Sequence, residues 1–136
     1  HMGATWTGNV DNSDIIDDIR MMEPKNLDLI FECCGQQEAV DQAVNLLCPG
    51  GTLLIVGIPR FGRWSFDVDD LRRKEIAIQN VRRQNEMTEK TIKSISDGVI
   101  IPDKMQTHNF DFSEIKEAFD LVDGYRDGVM KAMIHI

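Results

Sequence analysis

The sequence is poor in cysteine, proline and aromatic residues, and it has neither a long apolar run nor an excess of positive charge. Three cysteines among 136 residues, two of them adjacent, do not make a disulfide framework, so a reducing cytoplasm is the expected setting. No apolar run approaches the roughly 20 residues that span a membrane, and no membrane partner is expected. The formal net charge is −8, with Lys and Arg scattered apart from Arg72-Arg73-Lys74 and Arg82-Arg83. Nonspecific nucleic-acid binding needs a broad basic surface, so nucleic acid is not an expected partner either.

Several chemical signatures are also missing. No GxGxxG occurs. The stretch from Gly57 to Gly62 has the length of a phosphate loop, but Arg63-Trp64 follows where Lys and Ser/Thr are needed. Cys33 and Cys34 are adjacent, whereas zinc ligands favour a separation of two to four residues. They and Cys48 read as buried, inert thiols. His108 and His135 lie in alternating, strand-like segments without a second ligand at a suitable spacing. Asp14, Asp17 and Asp18 read as a solvated helix face. No catalytic group and no metal-ligand set is evident in the chain.

What is present is a βαβ pattern. Leu27, Leu29, Ile30 and Phe31 form a short apolar run, as expected of a strand buried on both faces in a parallel sheet. Ala39, Val40, Ala43, Val44 and Leu47 share one side of a 3.6-residue period and predict a helix. Pro49-Gly50-Gly51 supplies a turn, and Thr52 to Val56 is a second strand ending at Gly57. Apolar content of 42% and charged content of 28% suit a globular chain with one core.

Around this unit, Asn12 or Ser13 caps a helix carrying Ile15, Ile16 and Ile19, which Glu23-Pro24 stops. Ser65 to Val68 alternates like a short edge strand, and Asp69 to Arg73 allows one helical turn. Glu75 to Val81 is the third central strand, with Ile76, Ile78 and Val81 as packing positions. The interval from Gly57 to Glu75 is too short for a full helix plus that edge strand. Thr88 caps a helix ending at Asp97-Gly98, and Val99 to Pro102 is extended. Met105 to Phe110 is a strand, Asp111 or Ser113 caps a further helix, and Val129 to Ile136 is a terminal strand. His1-Met2 looks like a tag remnant, so the native part is taken to begin near Gly3, inside something larger.

In an open α/β sheet, ligands bind beyond the carboxyl ends of the strands. Those ends are Cys33-Cys34-Gly35, Gly57-Ile58-Pro59 and Asn80-Val81-Arg82. Glycine there either admits a ligand to the backbone or merely turns the chain, and spacing leaves both open.

The segment FECCGQQEAVDQAVNLLCPGGTLLIVGIP, with EIAIQNVRRQN, IPDKMQTHNFDFSEIKEAFDLV and DGVMKAMIHI after it, resembles the medium-chain, zinc-type alcohol dehydrogenases. The specific features are E-C-x-G, P-G-G, V-G-I-P and T-H-x-F-x-F-x-E-I-x-E-A-F in that order. The resemblance covers about nine-tenths of the chain and implies a Rossmann-like parallel α/β sheet, truncated to the second half of a coenzyme-binding domain, with residues 3–136 as that half plus terminal strands.

NAD or NADP is the cofactor the resemblance implies. Cys33 and Cys34 would line the cleft, Gln36 would lie near the adenosine half, and Val56, Gly57 and Ile58 would contact the nicotinamide end. Asn80 and Arg82 would flank the carboxamide, and Lys131 would face the pyrophosphate. Lysine at that place balances phosphate charge but lacks arginine's bidentate fork. The family's glycine-rich loop and its Cys, His and Glu zinc ligands have no counterpart in this sequence. The resemblance therefore implies an inactive fragment, with zinc and an alcohol or polyol substrate belonging to the parent protein. It also implies a homodimer through about Ser65 to Asn80. Two other readings are a fragment of an S-adenosylmethionine-dependent methyltransferase, which shares the P-G-G turn into an apolar strand, and a non-catalytic dimerisation module.

Overall fold

A computed structural model describes residues 3–82 and 84–136; the expectations for His1-Met2 and Arg83 lie outside the described residues. The chain divides into two compact units, Trp6–Asn85 and one built on Glu86–Ile136.

In the first unit α1 spans Ile15–Met22, β1 Leu27–Glu32, α2 Gln37–Leu46, β2 Leu47–Ile55, α3 Val68–Lys74 and β3 Ala77–Asn80. The three strands form a parallel sheet in the order β1-β2-β3. The α1 cap falls one residue beyond the expected pair. The Asp14 carboxylate accepts from the Ile16 and Asp17 N–H groups, while the Ser13 hydroxyl donates to Asp18 at 2.7 Å. The core joins Val40, Ala43 and Val44 of α2 to Leu47, Leu53 and Ile55 of β2, with Trp64, Phe66, Leu71, Ile76 and Ile78 packed against it.

Three expectations are corrected here. First, β1 is not buried on both faces. Ile30 packs on the core and Glu32 is buried, but Leu29 and Phe31 are 47% and 59% exposed. From Leu29 to Glu32 the period of two therefore holds, with Leu29 and Phe31 on an uncovered face. Second, Pro49-Gly50-Gly51 is no separate turn. Leu47 leaves α2 directly into extended backbone and pairs with Leu27, and pairing resumes at Leu29 with Thr52. The Pro-Gly-Gly segment is absorbed as a bulge within β2, with Gly50 at φ +79°. Third, Ser65 to Val68 is not a strand. The Gln37 side-chain amide donates to the Ser65 carbonyl at 2.8 Å and accepts from the Ser65 N–H at 3.0 Å. A side chain thus makes both bonds that a neighbouring strand would have made. Asp67 then caps α3 by accepting from the Asp69 and Asp70 N–H groups, so Val68 opens a helix. Lys74, at the end of α3, donates to the Val44 and Asn45 carbonyls at the end of α2. Val81 lies beyond β3 and is 42% exposed rather than packed.

In the second unit α4 spans Thr88–Ser96, β4 His108–Asp111, α5 Ile115–Asp123 and β5 Ala132–His135. Gly98 follows α4 at φ +72°, as its sequence signal predicts, while Met87 rather than Thr88 is the capping residue. Pro102–Met105 is a 3-10 turn, so the expected extension before it is lost and β4 begins only at His108. Asp111 and Glu114 form a capping box over the short 3-10 turn that leads into α5. The strands β4 and β5 pair in parallel over four residues each, so β5 is shorter than the expected Val129 to Ile136.

Candidate functional site

The register places the three strand ends level. Glu32 lies opposite Ile55, and Ile55 opposite Asn80. The residues that follow, Cys33 to Gln36, Val56 to Ile58 and Val81-Arg82, therefore leave the sheet along one edge. Parallel pairing delivers this arrangement automatically, because every strand runs out at the same side.

The organising residue on that edge is Glu32. Its residue is 3% exposed, unusual for a carboxylate. Oε1 accepts from the Cys34 N–H at 2.8 Å, the Gly35 N–H at 2.5 Å and the Cys34 thiol at 3.1 Å. Those two amides lie beyond the end of β1 and have no strand partner, so the carboxylate meets a need the backbone creates. The Glu32 carbonyl accepts from Val56 and Gly57, at 2.8 and 2.9 Å, tying β1 to the exit of β2. Burial pushes the Glu32 carboxyl up, but the thiol and the backbone N–H groups of Gly35, Cys34 and Gln36 more than offset this, and its pKa lies below the ordinary range. Cys34 shifts the other way. Burial and its bond to the Glu32 carboxylate raise the thiol pKa, keeping it a protonated donor. Cys48, away from this edge, is raised by its 3.3 Å bond to Asp28 and by burial.

The two glycines on the edge serve the chain itself. A Cβ on Gly35, at φ +73°, would stand 2.6 Å from the Ile58 carbonyl oxygen. A Cβ on Gly57 would meet the Gly35 nitrogen and stand 2.5 Å from Glu32 Oε2. The exits of β1 and β2 touch backbone to backbone, and the room left by the missing side chains is filled by neighbouring residues.

Around this clamp, Cys33, Cys34 and Gln36 are exposed on the β1 side, so the two cysteines are not the buried thiols expected, because they lie in the loop beyond the sheet; Gln36 precedes α2 without using its side chain as a cap. Val56 and Ile58 are 41% and 68% exposed beside Gly57, which is half-buried. Asn80 and Arg82 are exposed at the exit of β3, where the Val81 N–H donates to the Ile55 carbonyl. The edge thus offers apolar faces, amides and a cation in one row, a donor set that suits a dinucleotide. Eight of the nine candidate residues come together here.

The ninth, Lys131, belongs to the other unit. Its carbonyl accepts from the Thr107 and His108 N–H groups, its own N–H donates to the Thr107 hydroxyl at 3.3 Å, and its side chain is exposed. His108 meets Asp127 at 3.2 Å across the loop that leads to Lys131.

Sequence reasoning quoted Glu32 within E-C-x-G and Thr107 within T-H-x-F-x-F but gave neither a role. A signal for Glu32 existed. An acidic residue closing an apolar strand, with glycine three positions later, needs donors that only the following loop can provide. Among the described residues no three His, Cys, Asp or Glu side chains converge as metal ligands. The described residues therefore do not by themselves make a zinc-ligand set. No described helix is long and apolar enough to cross a membrane.

Residues 1–97 match the family model described as zinc-binding dehydrogenase. The uncharacterised zinc-type alcohol dehydrogenase-like protein YdjJ of Escherichia coli K12 is 31% identical over 137 residues, covering 99% of this chain and 39% of that protein. Sorbitol dehydrogenase of Bacillus subtilis 168 is 23% identical over 135 residues, covering 98% of this chain and 38% of the enzyme. Among solved structures, the NADH complex of the short chain alcohol dehydrogenase rspB from Escherichia coli CFT073 superposes with a TM-score of 0.86. It has 22% identity, over 98% of this chain and 39% of that one, and shares the Rossmann-like coenzyme-binding fold. The chain spans well under half the length of these relatives, and it belongs to the zinc-binding dehydrogenase family of zinc-type alcohol dehydrogenases.

Proposed function

We propose that the chain forms one half of the nicotinamide dinucleotide cleft of a zinc-type alcohol or polyol dehydrogenase and is inactive alone. The observation that carries this reading is the level row of strand exits, where Glu32, Ile55 and Asn80 stand abreast. Exposed Val56 and Ile58 give a flat apolar surface for the nicotinamide end, and Asn80 and Arg82 offer an amide and a cation to its carboxamide. Cys33 and Cys34 line the cleft, and Gln36 lies near the adenosine half.

Bound NAD or NADP supplies the hydride acceptor for oxidation of an alcohol. This chain's residues bind and orient that group and shield one face of it from water. Support for the dehydrogenase assignment comes from the family match and from sorbitol dehydrogenase among the relatives. Zinc and the substrate pocket belong to parts of a parent protein beyond these residues, and the cytoplasm is its proposed compartment.

The chain forms a homodimer in this reading, through the region from about Ser65 to Asn80. The outer edge of β3 pairs with no other strand among the described residues, and such an edge is a template for a second copy. Sedimentation at concentrations well above micromolar should give a dimer; a monomer there contradicts the dimer proposal.

A half-cleft binds weakly, so ligand-observed NMR, which reads millimolar affinity, is the suitable test. Saturation should pass from the chain to the nicotinamide protons of NADH or NADPH, and weaken at least threefold in Arg82→Ala. Transfer to S-adenosylmethionine with none to either nicotinamide coenzyme would sink the reading.

A further inference from the structure

We propose that Glu32 is a positioning residue: its buried carboxylate clamps the Cys33 to Gln36 loop against Val56 to Ile58 and so sets the shape of the coenzyme edge without touching the coenzyme. The proposal rests on the reading that this edge receives a nicotinamide dinucleotide.

Three observations converge on it. One oxygen, Oε1, gathers the Cys34 and Gly35 amides and the Cys34 thiol. The other, Oε2, is fully buried, makes no hydrogen bond, and occupies the room beside Gly57. The carbonyl of the same residue holds Val56 and Gly57. One residue therefore fixes both loops, through its side chain on one and its backbone on the other. An unpartnered buried oxygen is costly, and the three donors on Oε1 offset that cost only while the group is charged. Glutamine keeps the shape and can still accept through Oε1. Its NH2 would then lie in the Oε2 place, the buried position where the wild-type oxygen has no hydrogen-bond partner.

The test reads the clamp and the coenzyme separately. In a Cys33→Ser background, iodoacetamide labelling of Cys34 is followed against pH by peptide mass spectrometry, with Cys48 as internal reference. Glu32→Gln should lower the pH midpoint of Cys34 labelling and raise its rate at pH 8 at least threefold, with the Cys48 midpoint unchanged. Simple loosening would instead raise the Cys34 rate at every pH without moving its midpoint, and that result overturns the proposal. A second measurement needs no variant. In the wild-type chain, NMR should show the Cys34 and Gly35 amide protons titrating together with the Glu32 carboxyl. Amides indifferent to that titration also overturn the proposal. Saturation transfer to NADH then reports on the edge: a fall of threefold or more in Glu32→Gln supports positioning, and an unchanged signal overturns it. A clamp that behaves as stated beside a wild-type chain that never binds NADH overturns the coenzyme reading instead.

Discussion

The carboxylate of Glu32 occupies the space that a side chain at Gly57 would need: a Cβ built on Gly57 lies 2.5 Å from Oε2. The same methyl would press on the Gly35 nitrogen and stand 2.8 Å from the Gly35 Cα. The Gly35 obstacle is backbone, and the Glu32 carboxylate is held in place by the three donors on its Oε1. Gly57→Ala is expected to cost about 2–3 kcal/mol, the upper part of the range for overpacking a filled site. Urea unfolding, with the midpoint falling at unchanged slope, would check it.

Gly35→Ala combines a left-handed backbone at φ +73° with a 2.6 Å approach to the Ile58 carbonyl. The strain alone costs about 1–2 kcal/mol, and the contact adds to it. Gly62 is the control. Nothing lies within 4 Å of its built Cβ and its φ is not positive, so Gly62→Ala should be neutral or stabilise by about 0.4–1 kcal/mol.

Acid should weaken the fold through Glu32. Its folded pKa lies below the ordinary value of 4.5, so the native state binds its proton less readily than the unfolded chain does. The stability this confers is fully present above about pH 4.5 and is lost as the pH falls through the lower folded value. Thermal melts across pH 6 to about pH 3 should slope downward, and Glu32→Gln should flatten that slope while lowering the plateau near neutrality. Parallel curves for the two proteins would show that the carboxylate is not the group responsible.

Gln37→Ala removes both bonds to Ser65, at 2.8 and 3.0 Å. The expected loss is about 1–2 kcal/mol, because both backbone groups are near the surface and water can replace the amide. The sharper readout is hydrogen exchange: the Ser65 amide should lose protection while the amides of β2 keep theirs.

Much of the architecture could be read from the residues alone. Val40, Ala43 and Val44 mark the α2 face by their period, and Thr52 to Ile55 marks β2 by β-branched, apolar density. The family could be recognised from the ordered motifs, and the comparisons bear that out. The failures have physical causes. Trp64 and Phe66 alternate because both turn toward the core, yet alternation says nothing about which group satisfies the backbone, and here a glutamine does. Pro-Gly-Gly reads as a turn wherever it falls, but Leu47 was already paired before it. Leu29 and Phe31 look like core residues because composition cannot tell which face of a strand has a cover. At the edge, glycine's role could not be assigned from spacing. The decision lay in the 2.6 Å approach of Ile58 to Gly35, a contact between residues 23 positions apart in the chain.

The central claim is that the strand exits form one wall of a dinucleotide cleft. Its most direct test is a two-dimensional amide NMR titration of the chain with NADH. The account predicts that Cys33 to Gln36, Val56 to Ile58 and Asn80 to Arg82 shift together in one saturable process, while α3 and the outward face of β1 stay still. Shifts confined to other surfaces, or none at millimolar NADH, would contradict it.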